Sequence, residues 1–264
     1  MKIYQTILTE RSNGTCTVWL NRPELHNAMN DIMIAELTDV FGCLSGEEDL
    51  RLIFLRGKGK SFCAGADLNY MKNIASYSAE ENFNDSMKLA QLFSSVYDCK
   101  VPVIAVVHGS CFGGANGLIA ACDIAITSIH TVFAFSEVKL GLVPATIAPF
   151  VIGRIGEYGA KELMMTGKRF NGEEALKWKL VNHAIADNDM ETEVEKWKTL
   201  ILSNGPTAVR TTKELIRRLV NVRHDAKETM DDTAKLIARL RSSDEGQEGM
   251  SSFLEKRKPN WTVD

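Results

Sequence analysis

Residues 108–118 read HGSCFGGANGL and follow directly on the apolar run VPVIAVV of residues 101–107. A continuous apolar run of this length is typical of a strand buried on both faces. The small residues after it allow a ligand to approach the backbone closely. We predict a helix from Gly114 to Ala121, and the free amides and positive dipole at its start suit an anion. The stretch therefore predicts a buried strand, an anion-accepting turn and a helix, in that order.

A second stretch of small residues follows another predicted strand. Residues 61–68 read SFCAGADL and come after the apolar run LRLIFLR of residues 50–56. Either glycine-rich stretch alone is equally well explained as a tight turn. Because each follows a predicted buried strand, the two together favour a binding site.

Outward from these stretches, strands alternate with helices as far as about residue 185. The pattern predicts strands over residues 15–20, 122–127 and 131–135, a helix carrying Met33, Leu37, Val40 and Leu44 on one face, and an amphipathic helix over residues 80–97. Beyond residue 188 the pattern is helical, with predicted helices over residues 193–202, 206–220, 226–241 and 244–256. The chain is therefore predicted to be α/β, with mostly parallel strands and a helical C-terminal region.

The composition sets several function classes aside. The 264 residues carry a formal net charge of −3, which gives no global reason to expect nucleic-acid binding. There is no apolar run of about 18 residues and no signal-peptide pattern, so we expect a cytoplasmic protein that does not enter membranes. There is no H-E-x-x-H, no Cys/His spacing typical of zinc and no G-x-S-x-G, and Phe54 stands where a P-loop before Gly59-Lys60-Ser61 needs glycine.

Glu137 is the candidate proton-transfer group. It follows the strand predicted over residues 131–135, and its neighbours, including LGLVP at residues 140–144, are largely apolar. A carboxylate against an apolar wall has a raised pKa and can exchange protons near neutrality. The local pattern by itself is also what a solvated surface glutamate would show.

Residues 61–68, 108–118 and 135–144 (FSEVKLGLVP) together resemble the signature of the crotonase (enoyl-CoA hydratase/isomerase) superfamily. Residues 21–28, with N-R-P and N-A, and residues 249–258 (GMSSFLEKRK) resemble its two terminal elements. The resemblance implies an α/β crotonase fold: a superhelical core of repeated ββα turns over residues 1–197 and a helical region over residues 198–264. That region builds homotrimers in the family, often paired into hexamers as dimers of trimers.

The resemblance also implies an acyl-CoA substrate, with CoA as part of the substrate and no separate cofactor or metal. By motif position, the backbone N–H groups of Ala66 and Gly114 would hold the thioester oxygen and stabilise the enolate. The CoA adenine would lie near residues 64–68, which include Ala64, Asp67 and Leu68. In the C-terminal tail, Phe253 and Lys256 match positions that contact CoA, often from a neighbouring subunit, although helix packing explains Phe253 equally well.

One position departs from the family pattern. Many hydratases of the family use two glutamates; one matches Glu137, and the other falls on Gly117. Glu137 alone could take a proton from the attacking water and return it to the α-carbon, with the amide matching Ala145 helping to hold that water. The alternatives are a Δ3,Δ2-enoyl-CoA isomerase, an acyl-CoA decarboxylase and a non-catalytic or RNA-binding scaffold.

A finer resemblance concerns the substrate. Residues 68–72 (LNYMK), the glycine at 117 and residues 136–149 are similar to bacterial 3-methylglutaconyl-CoA hydratases of leucine and acyclic-terpene breakdown. A carboxylated acyl group would need a cation at the far end of its pocket. Lys139, Arg154 and Lys168 are candidates by proximity in sequence, and each is also explained as a solvated surface charge.

Overall fold

The structure is a computed structural model that describes residues 2–221 and 226–262. Its strands are β1 (Ile7–Ser12), β2 (Thr15–Leu20), β3 (Leu52–Gly57), β4 (Val103–Val107), β5 (Ser110–Phe112), β6 (Ile124–Ser128), β7 (Val132–Ala134), β8 (Arg169–Phe170) and β9 (His183–Ile185). Its α-helices are α1 (Asp31–Ser45), α2 (Leu68–Ile74), α3 (Ala79–Tyr97), α4 (Gly114–Ala121), α5 (Ala148–Thr166), α6 (Gly172–Lys177), α7 (Met190–Leu202), α8 (Pro206–Asn221), α9 (Ala226–Arg241) and α10 (Asp244–Leu254). A 3-10 turn at Glu137–Leu140 also matters for the site.

The larger sheet has six strands in the order β1-β2-β3-β4-β6-β9, and a smaller sheet has the order β5-β7-β8. In the larger sheet β1 and β2 form an antiparallel hairpin, and the remaining neighbours pair in parallel. The α/β fold with mostly parallel strands is thus confirmed. β4 is buried along its whole length, as its unbroken apolar sequence predicted.

Local sequence signals explain where several helices begin. The Asn30 side chain accepts a hydrogen bond from the Met33 amide at the start of α1. Ser78 and Glu81 form a capping box at the start of α3. The helix predicted over residues 114–121 agrees with α4.

Seven elements were not predicted: β1, α2, β5, α5, β8, α6 and β9. β5 lies within the stretch that we expected to form a turn, and α5 occupies residues 148–166. Pro149 and several glycines obscure the helical pattern of α5, and Gly156, at φ 69° and ψ 175°, interrupts its helical backbone.

The chain divides into two compact units, residues 1–194 and 195–264. The first contains both sheets and the hydrophobic core, with Phe41, Phe62, Phe93 and Phe133 fully buried. The second contains most of α7 together with α8, α9 and α10. The division falls within α7, and the boundary expected between residues 197 and 198 lies in the same helix. That the second part mediates oligomerisation stays a prediction. Among the described residues, no helix is long and apolar enough to span a membrane.

Candidate active site

The two glycine-rich segments lie against each other. β3 and β4 are parallel neighbours, so the segments that follow them begin at the same edge of the sheet. The Phe62 N–H donates to the His108 carbonyl over 2.8 Å, and the Phe112 N–H donates to the Cys63 carbonyl over 3.2 Å. A parallel bridge pairs Cys63 with Cys111. The structure therefore brings together the two segments that the sequence singled out.

Each segment contains a backbone amide that is available to a ligand. Among the described residues, the N–H groups of Ala66 and Gly114 find no acceptor. Ala66 is exposed and Gly114 is half-buried, so both are accessible. Met29 links them: its N–H donates to the carbonyl of Gly65 over 2.8 Å, and its Cε lies 2.9 Å from where a Cβ on Gly114 would stand. Both free donors therefore lie in segments that contact one buried methionine.

The turn that presents the Gly114 amide is fixed by a buried asparagine. Gly113 adopts φ 53° and ψ −126°, which suits glycine because it has no Cβ. The Asn116 side chain donates to the carbonyls of Gly113 (3.1 Å) and Ala134 (2.9 Å), and it is fully buried. Sequence reasoning missed Asn116, although a polar residue in the otherwise apolar GANGLIAA helix was the available signal.

Glu137 lies beside this turn. A Cβ added to Gly113 would lie 3.5 Å from Glu137 Oε1, so the carboxylate lies against the residue that precedes Gly114. Its other oxygen, Oε2, is buried and has no hydrogen-bond partner among the described residues. Burial raises the pKa of Glu137 above that of an ordinary glutamate. The side chain is therefore not the solvated surface glutamate that the local pattern also allowed.

Gly117 is buried, and the space beside it is occupied. A Cβ at this position would clash with Cγ2 of Ile147 and would lie 2.9 Å from Cε1 of Phe93. Ile147 and Phe93 are fully or almost fully buried. Hydrocarbon thus fills the place into which a second carboxylate would project. Phe93 also lies 3.8 Å from a Cβ position on Gly114, so this apolar wall reaches the free amide.

The residues predicted to bind substrate differ in their availability. Leu68 is largely exposed, and the Ala64 N–H donates to the carbonyl of His26 over 3.0 Å. The Ala145 N–H, which we expected to hold water, donates instead to the Val143 carbonyl over 2.8 Å. Asp67 is buried and caps α2. Burial alone would raise the pKa of Asp67, but hydrogen bonds from Arg22 and from two α2 amides hold it below its ordinary value.

Phe253 and Lys256 belong to the second unit. Phe253 is 82% exposed near the end of α10, and Lys256 follows that helix with a φ of 56°. A role for either residue in CoA binding stays a prediction.

The three candidate cations have different surroundings. Arg154 is half-buried and donates to the carbonyls of Ala120, Cys122 and Leu180, so its guanidinium is committed to the fold. Lys168 pairs with Glu162 over 2.6 Å. Lys139, in the same 3-10 turn as Glu137, is exposed and forms no ion pair with any residue that the structure describes. Of the three, Lys139 is the one available to a ligand. The described chain contains no cluster of three or more His, Cys, Asp or Glu residues that could hold a metal ion.

Comparisons with known proteins point to one family. The family model described as enoyl-CoA hydratase/isomerase matches residues 10–264. A crotonyl-CoA hydratase of Syntrophomonas wolfei is 31% identical, covering 98% of this chain and 98% of the relative. A mitochondrial Delta(3,5)-Delta(2,4)-dienoyl-CoA isomerase of Dictyostelium discoideum is 30% identical over 97% of this chain and 91% of the relative.

A solved structure extends the likeness to three dimensions. The crystal structure of an enoyl-CoA hydratase from Shewanella pealeana superimposes with a TM-score of 0.92 at 36% identity, covering 97% of this chain and 96% of that chain. The expected crotonase fold is thereby confirmed. The site is built from the segments that carry the family signature. Because the family model also matches nearly the whole sequence, this chain belongs to the enoyl-CoA hydratase/isomerase family.

Proposed function

We propose that this protein adds water to a 2-enoyl-CoA thioester. The observation that carries the proposal is the Glu137 carboxylate, which keeps one oxygen buried without a partner and lies against Gly113, the residue before the free Gly114 amide. A group of raised pKa next to a free donor is the pairing that proton transfer α to a thioester requires. The family relatives named as hydratases support the same reaction class.

The proposed chemistry follows from the negative charge that develops on the thioester oxygen during hydration. The Ala66 and Gly114 N–H groups donate to the thioester oxygen, on which negative charge grows as water attacks the β-carbon. Donors held in place before the reaction stabilise that charge without reorganising, and one such donor is typically worth about 3 kcal/mol. The Glu137 carboxylate accepts a proton from the attacking water and returns it to the α-carbon. Water is thus added with no net change in the protonation of the enzyme.

For the acyl group, we propose 3-methylglutaconyl-CoA. The support is the resemblance of residues 68–72 and 136–149 together with the position of Lys139, two residues after Glu137 and exposed. An ammonium there would attract the terminal carboxylate of such a substrate. Arg154 is unsuited to this role because backbone carbonyls already engage its guanidinium.

A second candidate is a Δ3,Δ2-enoyl-CoA isomerase. The observation that favours it is the hydrocarbon wall of Ile147 and Phe93 where a second acid would stand, since a single carboxylate suffices to shuttle a proton between the α and γ carbons.

Substrate turnover distinguishes these reactions. The protein is incubated with 3-methylglutaconyl-CoA, crotonyl-CoA and a 3-enoyl-CoA, and each is followed by mass and by the absorbance of the conjugated thioester. Gain of one water mass on 3-methylglutaconyl-CoA, with slower hydration of crotonyl-CoA, supports the proposal and its acyl group. Hydration of crotonyl-CoA alone contradicts the acyl group. Turnover of only the 3-enoyl thioester at constant mass contradicts hydration and favours the isomerase.

A further inference from the structure

Asp67 and Arg22 form a nearly buried ion pair next to one of the two free amides. Arg22 Nη2 donates to Asp67 Oδ2 over 2.7 Å, and the two side chains are only 14% and 8% exposed. Asp67 directly follows Ala66. The resemblance predicted that Asp67 touches the substrate, but its carboxylate already has three donors: Arg22 and the amides of Asn69 and Tyr70. These contacts leave little of the carboxylate to a ligand.

The same pair ties the Ala66 segment to residues 22–29. Met29 accepts from the Asp67 N–H over 2.8 Å and donates to the Gly65 carbonyl over 2.8 Å, so the backbone is held on either side of Ala66. Arg22 Nη1 donates to the Ala28 carbonyl over 2.6 Å, next to Met29. The Arg22 guanidinium therefore contacts both segments. It binds the Asp67 side chain in one and the Ala28 carbonyl in the other.

Residues 22–29 are themselves braced. The Arg22 N–H donates to Asn27 Oδ1 over 2.8 Å. The fully buried Asn27 side chain donates to the carbonyls of Lys58 and Ser61, which lie on the loop that leads from β3 to Ala66. A chain of contacts that begins at Arg22 therefore holds the backbone on both sides of Ala66.

We propose that Arg22 and Asp67 are positioning residues that aim the Ala66 N–H at the substrate oxygen. This inference rests on the proposed function, since it assumes that the Ala66 amide receives a thioester oxygen. A donor displaced by as little as about 1 Å can cost on the order of 100-fold in rate. Loss of the pair is therefore expected to lower kcat while the binding contacts to the rest of the substrate remain.

The test uses Asp67→Asn, because asparagine caps a helix about as well as aspartate but lacks the charge that pairs with Arg22. The double variant Asp67→Asn/Arg22→Met removes both charges and leaves neither buried alone. Glu47→Gln is the matched control, since it removes the carboxylate of the exposed Arg11–Glu47 pair, which lies outside the site. The measurements are kcat and KM for a 2-enoyl-CoA and the infrared stretching frequency of the bound thioester carbonyl.

The expected result is a fall in kcat of about 10- to 100-fold in both variants with KM within about twofold, and a carbonyl frequency that returns toward its value in water. A purely structural role would not move the carbonyl frequency of bound substrate. Wild-type kcat and frequency in both variants would overturn the inference while leaving the proposed function intact. A wild-type protein that binds the thioester without shifting its carbonyl frequency would contradict the proposed function itself.

Discussion

Glu137 keeps one carboxylate oxygen buried without a partner, which costs stability whenever the group is ionised. Its pKa is raised by burial, so the folded protein binds this proton more tightly than the unfolded chain does. The stability linked to the group is therefore fully present at a pH below the unfolded pKa and is lost as the pH rises through the folded pKa.

Glu137→Gln is accordingly expected to raise the free energy of unfolding at pH 7. The advantage should shrink on acidification and vanish below about pH 4, where the wild-type carboxyl is protonated in both states. Urea unfolding at the two pH values measures the difference. A variant less stable than wild type at pH 7 would show that Glu137 has a stabilising partner after all.

Packing requires a glycine at position 117. Gly117→Ala is expected to destabilise the protein by about 1–3 kcal/mol, because the added methyl meets Ile147 and Phe93 in a filled core. Gly42→Ala is the matched control: Gly42 also lies within a helix, α1, but a Cβ there would meet nothing within 4 Å. That control should gain stability, by roughly 0.5–1 kcal/mol. Thermal unfolding of both variants checks the contrast, and equal effects would contradict it.

At this scale the sequence motifs singled out the candidate groups for the chemistry but not the residues that contact and hold them. Glu137 and the glycine segments were identified by their motifs. Met29, Asn116 and Ile147 were not, because each acts through contacts with segments that are remote in sequence or through the interior of a helix. Contacts of this kind leave no local pattern for Met29 and Ile147, and the one signal for Asn116 was a polar residue within an apolar helix.

Among the elements, α4 is held at both ends. Asn116 braces the turn at its start, and Arg154 reaches the carbonyls of Ala120 and Cys122 at its end. Cations at a helix C-terminus also interact favourably with its dipole. Since α4 carries the Gly114 amide, these two side chains connect the stability of the helix to the geometry of the site.

Arg154→Lys is therefore expected to behave as a disruptive change. Lysine keeps the charge but lacks the planar fork that reaches several carbonyls at once. We expect a loss of about 1–3 kcal/mol in unfolding free energy, the typical cost of leaving a buried carbonyl unsatisfied. Lys168→Met, which breaks an exposed pair with Glu162, should change stability by less than about 1 kcal/mol. A KM increase in Arg154→Lys at unchanged stability would instead assign the arginine to substrate binding.

Periodicity predicted elements well where the pattern was uninterrupted. The run VPVIAVV became β4, and GANGLIAA became α4. It failed where glycine and proline punctuate a helix, as in α5, and at the strands β1 and β5, although the equally short β7 was predicted. Tertiary contacts, rather than local propensity, decide those segments.

At the scale of the molecule, the second unit exposes large apolar side chains. The most exposed are Phe253, Leu254, Val220 and Met230, on or near three different helices. Such side chains mark an association site where they form a contiguous patch. Sequence resemblance predicted that this region builds trimers, and the exposed residues are consistent with that prediction.

Sedimentation equilibrium of the whole chain is expected to give a trimer or hexamer mass. The double variant Val220→Glu/Ile216→Glu, on the exposed side of α8, should lower that mass because two charges would be buried in the interface. Phe83→Glu, an exposed position in the first unit, serves as the control and should leave the mass unchanged. A wild-type monomer at micromolar concentration would contradict the prediction.

The most direct test of the central claim, that a single carboxylate carries the proton, is the hydration rate of Glu137→Gln with a 2-enoyl-CoA. We predict that kcat falls by at least about 100-fold, the usual contribution of a general acid–base group, while the dissociation constant of the hydrated thioester stays within about twofold. The wild-type kcat/KM should also rise with pH as Glu137 ionises, with an apparent pKa above that of an ordinary glutamate. Hydration by Glu137→Gln at the wild-type rate would contradict the account.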